Sequence, residues 1–137
     1  MAADPKDVVT RLIAEMLNRH DLGAADALVA VDCVDHSGFP GQPPGLAGMK
    51  VRWGTLFAAF PDFTIAVDDL VIEGDKVAMR ATARGTHGGE FFGVPATGAS
   101  VEFSEINLSR VVDGRMVEHW AERSTLEVLR QIGALPG

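Results

Sequence analysis

Residues 60–72 read FPDFTIAVDDLVI, and within them the periodicity of the chain changes. Up to Pro61, apolar residues return every three or four positions: Met49, Trp53, Leu56, Phe57 and Phe60 make the one-sided stripe of a helix. Pro61 stops that helix, because proline has no N–H and its ring collides with the preceding turn. Beyond it come strand-like runs: FTIAVDDLVI (63–72), KVAMRATARGTH (76–87), SVEFSEINLSRVV (100–112) and RMVEHWAER (115–123). They are separated by EGD, GGEFFGVPATG and DG. The pair Asp113-Gly114 predicts a tight hairpin, since a two-residue reverse turn needs the positive φ that both residues tolerate. Four sequential strands with hairpin connections make an antiparallel meander.

On the N-terminal side, Asp4-Pro5 is a helix-start signal, and Val8, Val9, Leu12, Ile13, Met16 and Leu17 form one apolar stripe that ends near His20. A second short helical run, AADALVAV (24–31), leads into CVDHSGF (33–39). The stretch GFPGQPPG (38–45) is a loop, with three prolines and three glycines that neither helix nor central strand tolerates. A helical piece, TLEVLRQIGAL (125–135), closes the chain. Helices first and strands afterwards is the α+β arrangement, with helices packed on one face of an antiparallel sheet. A curved sheet of this kind leaves a concavity, and the expectation is a pocket for one mostly apolar small molecule within a single domain spanning 1–137.

Twelve basic against nineteen acidic residues give a net charge of −7, which repels phosphate backbones and anionic lipid, so neither nucleic acid nor a membrane is an expected partner. The single Cys33 has no partner for an internal disulfide. The N-terminus turns amphipathic at once and lacks the basic head and apolar run of a secretion signal, so a cytoplasmic location is expected. His20, His36, His87 and His119 are scattered, with no H-x-x-x-H spacing or cysteine cluster, so no metal is expected.

Four segments carry a resemblance: VDH (34–36), FAAFPDF (57–63), RGTHGGEFFGVPATG (84–98) and RVVDGRMVEHW (110–120). In their order and spacing they resemble the SnoaL-like polyketide cyclase or ester cyclase family of the nuclear transport factor 2-like superfamily. The resemblance implies a cone-shaped fold with a deep pocket, and a homodimer packed through the sheet. It also implies intramolecular aldol closure of a polyketide ring with neither metal nor organic cofactor. Relatives on this fold include ketosteroid isomerases, epoxide hydrolases, dehydratases and non-catalytic binders. The family commonly places an acid directly after the tryptophan of EHW, and an acid or histidine three residues before the arginine of RVVDG. Here those positions hold Ala121 and Asn107, so the family's usual proton-transfer group is not carried over.

Strand alternation points to substitutes. With Asn107 facing the pocket, Glu105 and Ser109 share its face, and Glu102, Ser104 and Arg110 take the other. With position 121 facing inward, His119 and Arg123 follow it, and Glu118 and Glu122 point away. Glu105 is then the replacement carboxylate, His119 the general acid or base, and Asn107 a neutral donor to a carbonyl or enolate oxygen. His36, close in sequence to Asp32 and Asp35, is a further proton-shuttle candidate at the pocket rim. Trp53, Phe57 and Phe91 are candidates for stacking on a planar substrate, with His87, Ala121 and Arg123 as further contacts. The absence of tyrosine removes the phenolic donor that ketosteroid isomerases use. Three functions remain open: a cofactor-independent cyclase or isomerase of a polyketide-like metabolite, a binding protein without catalysis, and an epoxide hydrolase or dehydratase.

Overall fold

The Asp4 carboxylate accepts from the Lys6 amide and Pro5 takes the first helical position, so α1 (Pro5–Arg11) begins where its capping residues put it. It continues as a π-helical segment, Leu12–Leu17. The computed structural model describes residues 4–135. Val8, Val9, Leu12, Ile13 and Met16 are all buried, as one stripe facing the sheet.

The chain then departs from expectation. The helical pattern of residues 24–31 does not persist: the structure has a 3-10 segment, Leu22–Ala27, followed by a strand, β1 (Val29–Asp35). β-branched valines at 29, 31 and 34 lose side-chain freedom in a helix and fit a pleated surface. The rest follows from a partner outside the local sequence, the free edge of β5, along which β1 lies in parallel.

Helix α2 (Gly45–Ala59) ends just before Pro61, and β2 (Thr64–Glu73), β3 (Lys76–Thr86), β4 (Ser100–Val112) and β5 (Arg115–Arg123) form the expected meander. The single sheet runs β1-β5-β4-β3-β2, so it has five strands, of which only the last four are antiparallel. Asp113 and Gly114 both take positive φ, 51° and 77°, in the hairpin between β4 and β5. Register shifts at Val67/Asp69 and Arg110/Val111 bend the sheet around α1. A short helix, α3 (Thr125–Gln131), docks on β4.

Gly48 of α2 lies so close to the Pro43 carbonyl that a Cβ would sit 1.5 Å from its oxygen. That close approach seats the proline-rich loop on α2 and sets Gln42 above the end of β1. Among the described residues, no helix is long and apolar enough to cross a membrane.

Candidate functional site

Between α1, α2 and the concave face of the sheet lies a narrow cavity of about 70 Å³. One wall is apolar: Val9, Leu12, Leu17, Phe63, Ile65 and Met79 among others. The polar part is built by β4 and β5 and carries Glu105, Asn107, Ser109, His119 and Arg123, with Arg52 reaching in from α2. Alternation along β4 brings 105, 107 and 109 to one face, and the pairings Glu105 with Arg123 and Ser109 with His119 align the two strands.

The deepest feature is a carboxylate behind this wall. Asp35, the last residue of β1, stands in register with His119 and is 3% exposed in its side chain. Its Oδ1 is 3.2 Å from His119 Nδ1 and accepts from the Ser37 amide at 3.1 Å. Its Oδ2 accepts from Gln42 Nε2 at 3.0 Å and from Arg52 Nε and Nη2 at 3.2 and 3.1 Å. Burial pushes the carboxyl upward, but His119, Arg52 and Gln42 outweigh it and hold Asp35 well below the usual carboxylate range. Burial, and then Arg123, bring Arg52 down to about 10, which leaves it charged at neutral pH.

An ionised Asp35 only accepts, so His119 Nδ1 carries the hydrogen and Nε2 is left as the acceptor of a neutral ring. Burial pushes His119 below its ordinary value, and the Arg52 and Arg123 charges add to this against the pull of Asp35. No protein group among the described residues hydrogen-bonds Nε2. His119 is therefore a neutral imidazole of defined tautomer on the cavity wall.

A second set lies along the same wall. Glu105 Oε1 accepts from Asn107 Nδ2 at 3.1 Å, and its Oε2 is 3.4 Å from Arg123 Nε. Arg123 Nη1 donates to the Ser37 carbonyl at 2.9 Å, and the Ser37 hydroxyl takes the Ala121 amide. Both guanidiniums in the cavity are thus matched by carboxylates. Among the described residues, no three His, Cys, Asp or Glu side chains converge as metal ligands.

Of the ten residues expected at the site, Glu105, Asn107, His119, Trp53 and Arg123 line the cavity and the other five do not. His36 points to the outer face of the sheet, because it follows Asp35 on an alternating strand. Its Nε2 meets Glu118 at 2.7 Å, and its ring stacks on Trp120 with centroids 4.7 Å apart. Phe57 leaves the α2 stripe to stack on His20 at 4.1 Å. Phe91 is buried edge-on against Phe60 and Phe39, as core between the 88–98 loop and α2. His87 clasps the base of that loop: its Nδ1 accepts from the Thr97 amide and lies 2.9 Å from Thr97 Oγ1. Ala121 has too short a side chain to reach the cavity.

Asp35, Arg52 and Gln42 are the residues that sequence reasoning missed. Arg52 had a visible signal, since it sits three residues after Met49 and four before Leu56, a charge inside an apolar stripe. For Asp35 the sequence offers a place beside His36 and, with Asp32, candidacy as the second inward carboxylate of an epoxide hydrolase, but not the His119 contact. Its pairing with His119, 84 residues away, depends on the parallel contact of β1 with β5.

Comparison with known proteins gives a consistent picture. Residues 7–132 match the family described as SnoaL-like polyketide cyclase. Among solved structures, wild-type IdmH of Streptomyces antibioticus is 42% identical over 96% of this chain and 99% of its own, with a TM-score of 0.83. AclR of Streptomyces galilaeus is 33% identical over 100% and 85%, with a TM-score of 0.86. TsrD of Streptomyces laurentii is 28% identical over 95% of each chain, also at 0.86. None of the curated proteins compared with the chain matches it.

Proposed function

Because the chain belongs to the SnoaL-like polyketide cyclase family, we propose that it is a cofactor-independent cyclase of a polyketide-like, mostly apolar metabolite, with His119 as its proton-transfer group. The observation that carries this is the neutral His119 on the cavity wall, its Nδ1 held by the ionised Asp35 at 3.2 Å and its Nε2 open to a substrate. Nε2 takes a proton from a carbon beside a carbonyl. The enolate carbon then bonds to a second carbonyl carbon of the same molecule, and the imidazolium returns the proton to the new alkoxide. The product is a ring isomer of the substrate, with no atom gained or lost. Asp35 stabilises the transient imidazolium, as an ionised partner does in other carboxylate-histidine pairs. Asn107, oriented by Glu105, donates to the second carbonyl. A positioned base contributes roughly 10²–10⁴-fold and folding of the substrate by the apolar wall contributes further. Among the neighbours, IdmH supports this reading as a candidate polyketide cyclase, whereas AclR is a candidate hydroxylase, a different reaction on the same fold.

The test is incubation with linear aryl poly-β-ketone esters, followed by chromatography and mass spectrometry. A product of unchanged mass and altered retention, lost in His119→Ala, is expected. Binding of these esters without any new isomer would instead favour the second reading, a carrier without catalysis, which Ala121 in place of the family's acid supports.

A homodimer is part of the proposal. Val71, Ala78, Leu108 and Trp120 lie in register across the outer face of β2 to β5, with Ile106 59% exposed beside them. Light scattering of the purified protein at twice the chain mass is the expected result, and Ile106→Glu should shift it towards monomer.

A further inference from the structure

Most polar groups on the cavity wall already have protein partners. Arg52 is committed to Asp35, Arg123 to Glu105 and Ser37, and one Asn107 amide hydrogen to Glu105. Two of the groups left uncommitted sit on residues paired across the ladder: His119 Nε2 and the hydroxyl of Ser109. Ser109 lines the cavity, is 2% exposed, and faces His119 directly across the β4 to β5 ladder. Among the described residues nothing hydrogen-bonds its Oγ. The one enclosed side-chain polar atom without a partner there is His87 Nε2, so the Ser109 hydroxyl is not sealed off and opens on the cavity.

A nearly buried hydroxyl left without a partner costs on the order of 1–3 kcal/mol, and a ligand oxygen that satisfies it recovers that cost. Directly opposed residues in an antiparallel pair have Cβ atoms about 4.5–5.5 Å apart, so one small oxygen-bearing group can meet both side chains. We propose that Ser109 is a catalytic hydrogen-bond donor, holding the oxygen that becomes the enolate while His119 Nε2 removes the adjacent proton. This rests on the assignment of His119 as the base. Asn107 lies two residues along the same strand face, about 7 Å away. That spacing assigns the carbonyl that loses the proton to the Ser109 end and the carbonyl that is attacked to the Asn107 end. The direction of ring closure in the cavity follows from it. Donation by the hydroxyl grows in strength as negative charge develops on the oxygen, which is where a donor accelerates a reaction instead of merely binding.

A neutral enol mimic separates the two roles. 2-Naphthol has an O–H to donate to His119 Nε2 and an oxygen to accept from Ser109, and naphthalene has the same rings without oxygen. With both measured by equilibrium dialysis, the wild type should prefer 2-naphthol. Ser109→Ala should weaken 2-naphthol about tenfold and leave naphthalene within about twofold. Unchanged 2-naphthol binding in Ser109→Ala, an equal loss for both compounds, or no preference for 2-naphthol in the wild type would each overturn the proposal. His119→Ala is the separating arm. If it leaves 2-naphthol binding intact while Ser109→Ala reduces it, the assignment of the base fails and the Ser109 donor stands.

Discussion

Strands β1 and β5 build two histidine-carboxylate pairs, one on each face of the sheet. Inside, Asp35 of β1 meets His119 of β5; outside, His36, just past the end of β1, meets Glu118 of β5. The residues are sequence neighbours, and the roles of the two segments are exchanged between the faces. The outer contact is the shorter, 2.7 Å against 3.2 Å. Yet its histidine and carboxylate are 40% and 25% exposed, against 11% and 3% for the inner pair. Water shares the outer charges, and Arg110 is the further partner of Glu118. Inside, solvent cannot share them, and the protein itself supplies Arg52, Gln42 and the Ser37 amide. The difference teaches that what fits the inner pair for the proposed proton transfer is its enclosure and the free Nε2, not the length of the contact.

Four measurements test that contrast. The largest effect is expected in turnover: His119→Ala should lower the cyclisation rate by about 10²–10⁴-fold, while His36→Ala leaves it unchanged. Equal losses would mean that the outer histidine serves the reaction too. Next, Asp35→Ala strands the buried Arg52 charge and should cost about 3–5 kcal/mol in urea unfolding. His36→Ala should fall within the scatter of surface substitutions.

The pH dependence follows in size. His119 is shifted below its ordinary value, so below about pH 6.5 the unfolded chain binds a proton that the folded chain refuses. Stability therefore falls as the pH drops from there towards the folded value, and is unaffected above it. Asp35 adds a second loss at lower pH, because its folded carboxyl is depressed: its contribution is present above about pH 3.9 and disappears as the pH falls further. His119→Gln should flatten the first of these limbs, and imidazole NMR of the wild type should show His119 titrating below the ordinary imidazole value. The smallest effect is the coupling between His36 and Glu118. A double-mutant cycle should find it weak and reduced further by salt, since exposed charges are screened. A coupling that persists at high salt would show that the outer face is covered in solution.

Much of this was legible from residue patterns. The break at Pro61, the four strand runs and the Asp113-Gly114 turn located the meander nearly to the residue. Alternation, anchored on the pocket-facing positions that the family resemblance implies for 107 and 121, put Glu105, Asn107 and His119 on a common face, and the cavity is lined by all three. The aromatic residues were less legible: Trp53, Phe57 and Phe91 have the same local signal, yet only Trp53 reaches the cavity. Packing against His20 and Phe60 diverts the other two.

Periodicity, turn chemistry and strand parity are properties of a few consecutive residues, and from them the sequence by itself determined the α+β class, the antiparallel meander and which residues of each strand share a face. The parallel seat of β1 on β5, and with it the burial of Asp35 against His119 and Arg52, was decided only in the tertiary structure. The physical reason is that this pairing joins residues 84 positions apart, and no local preference of Val29–Asp35 states which strand edge it will meet.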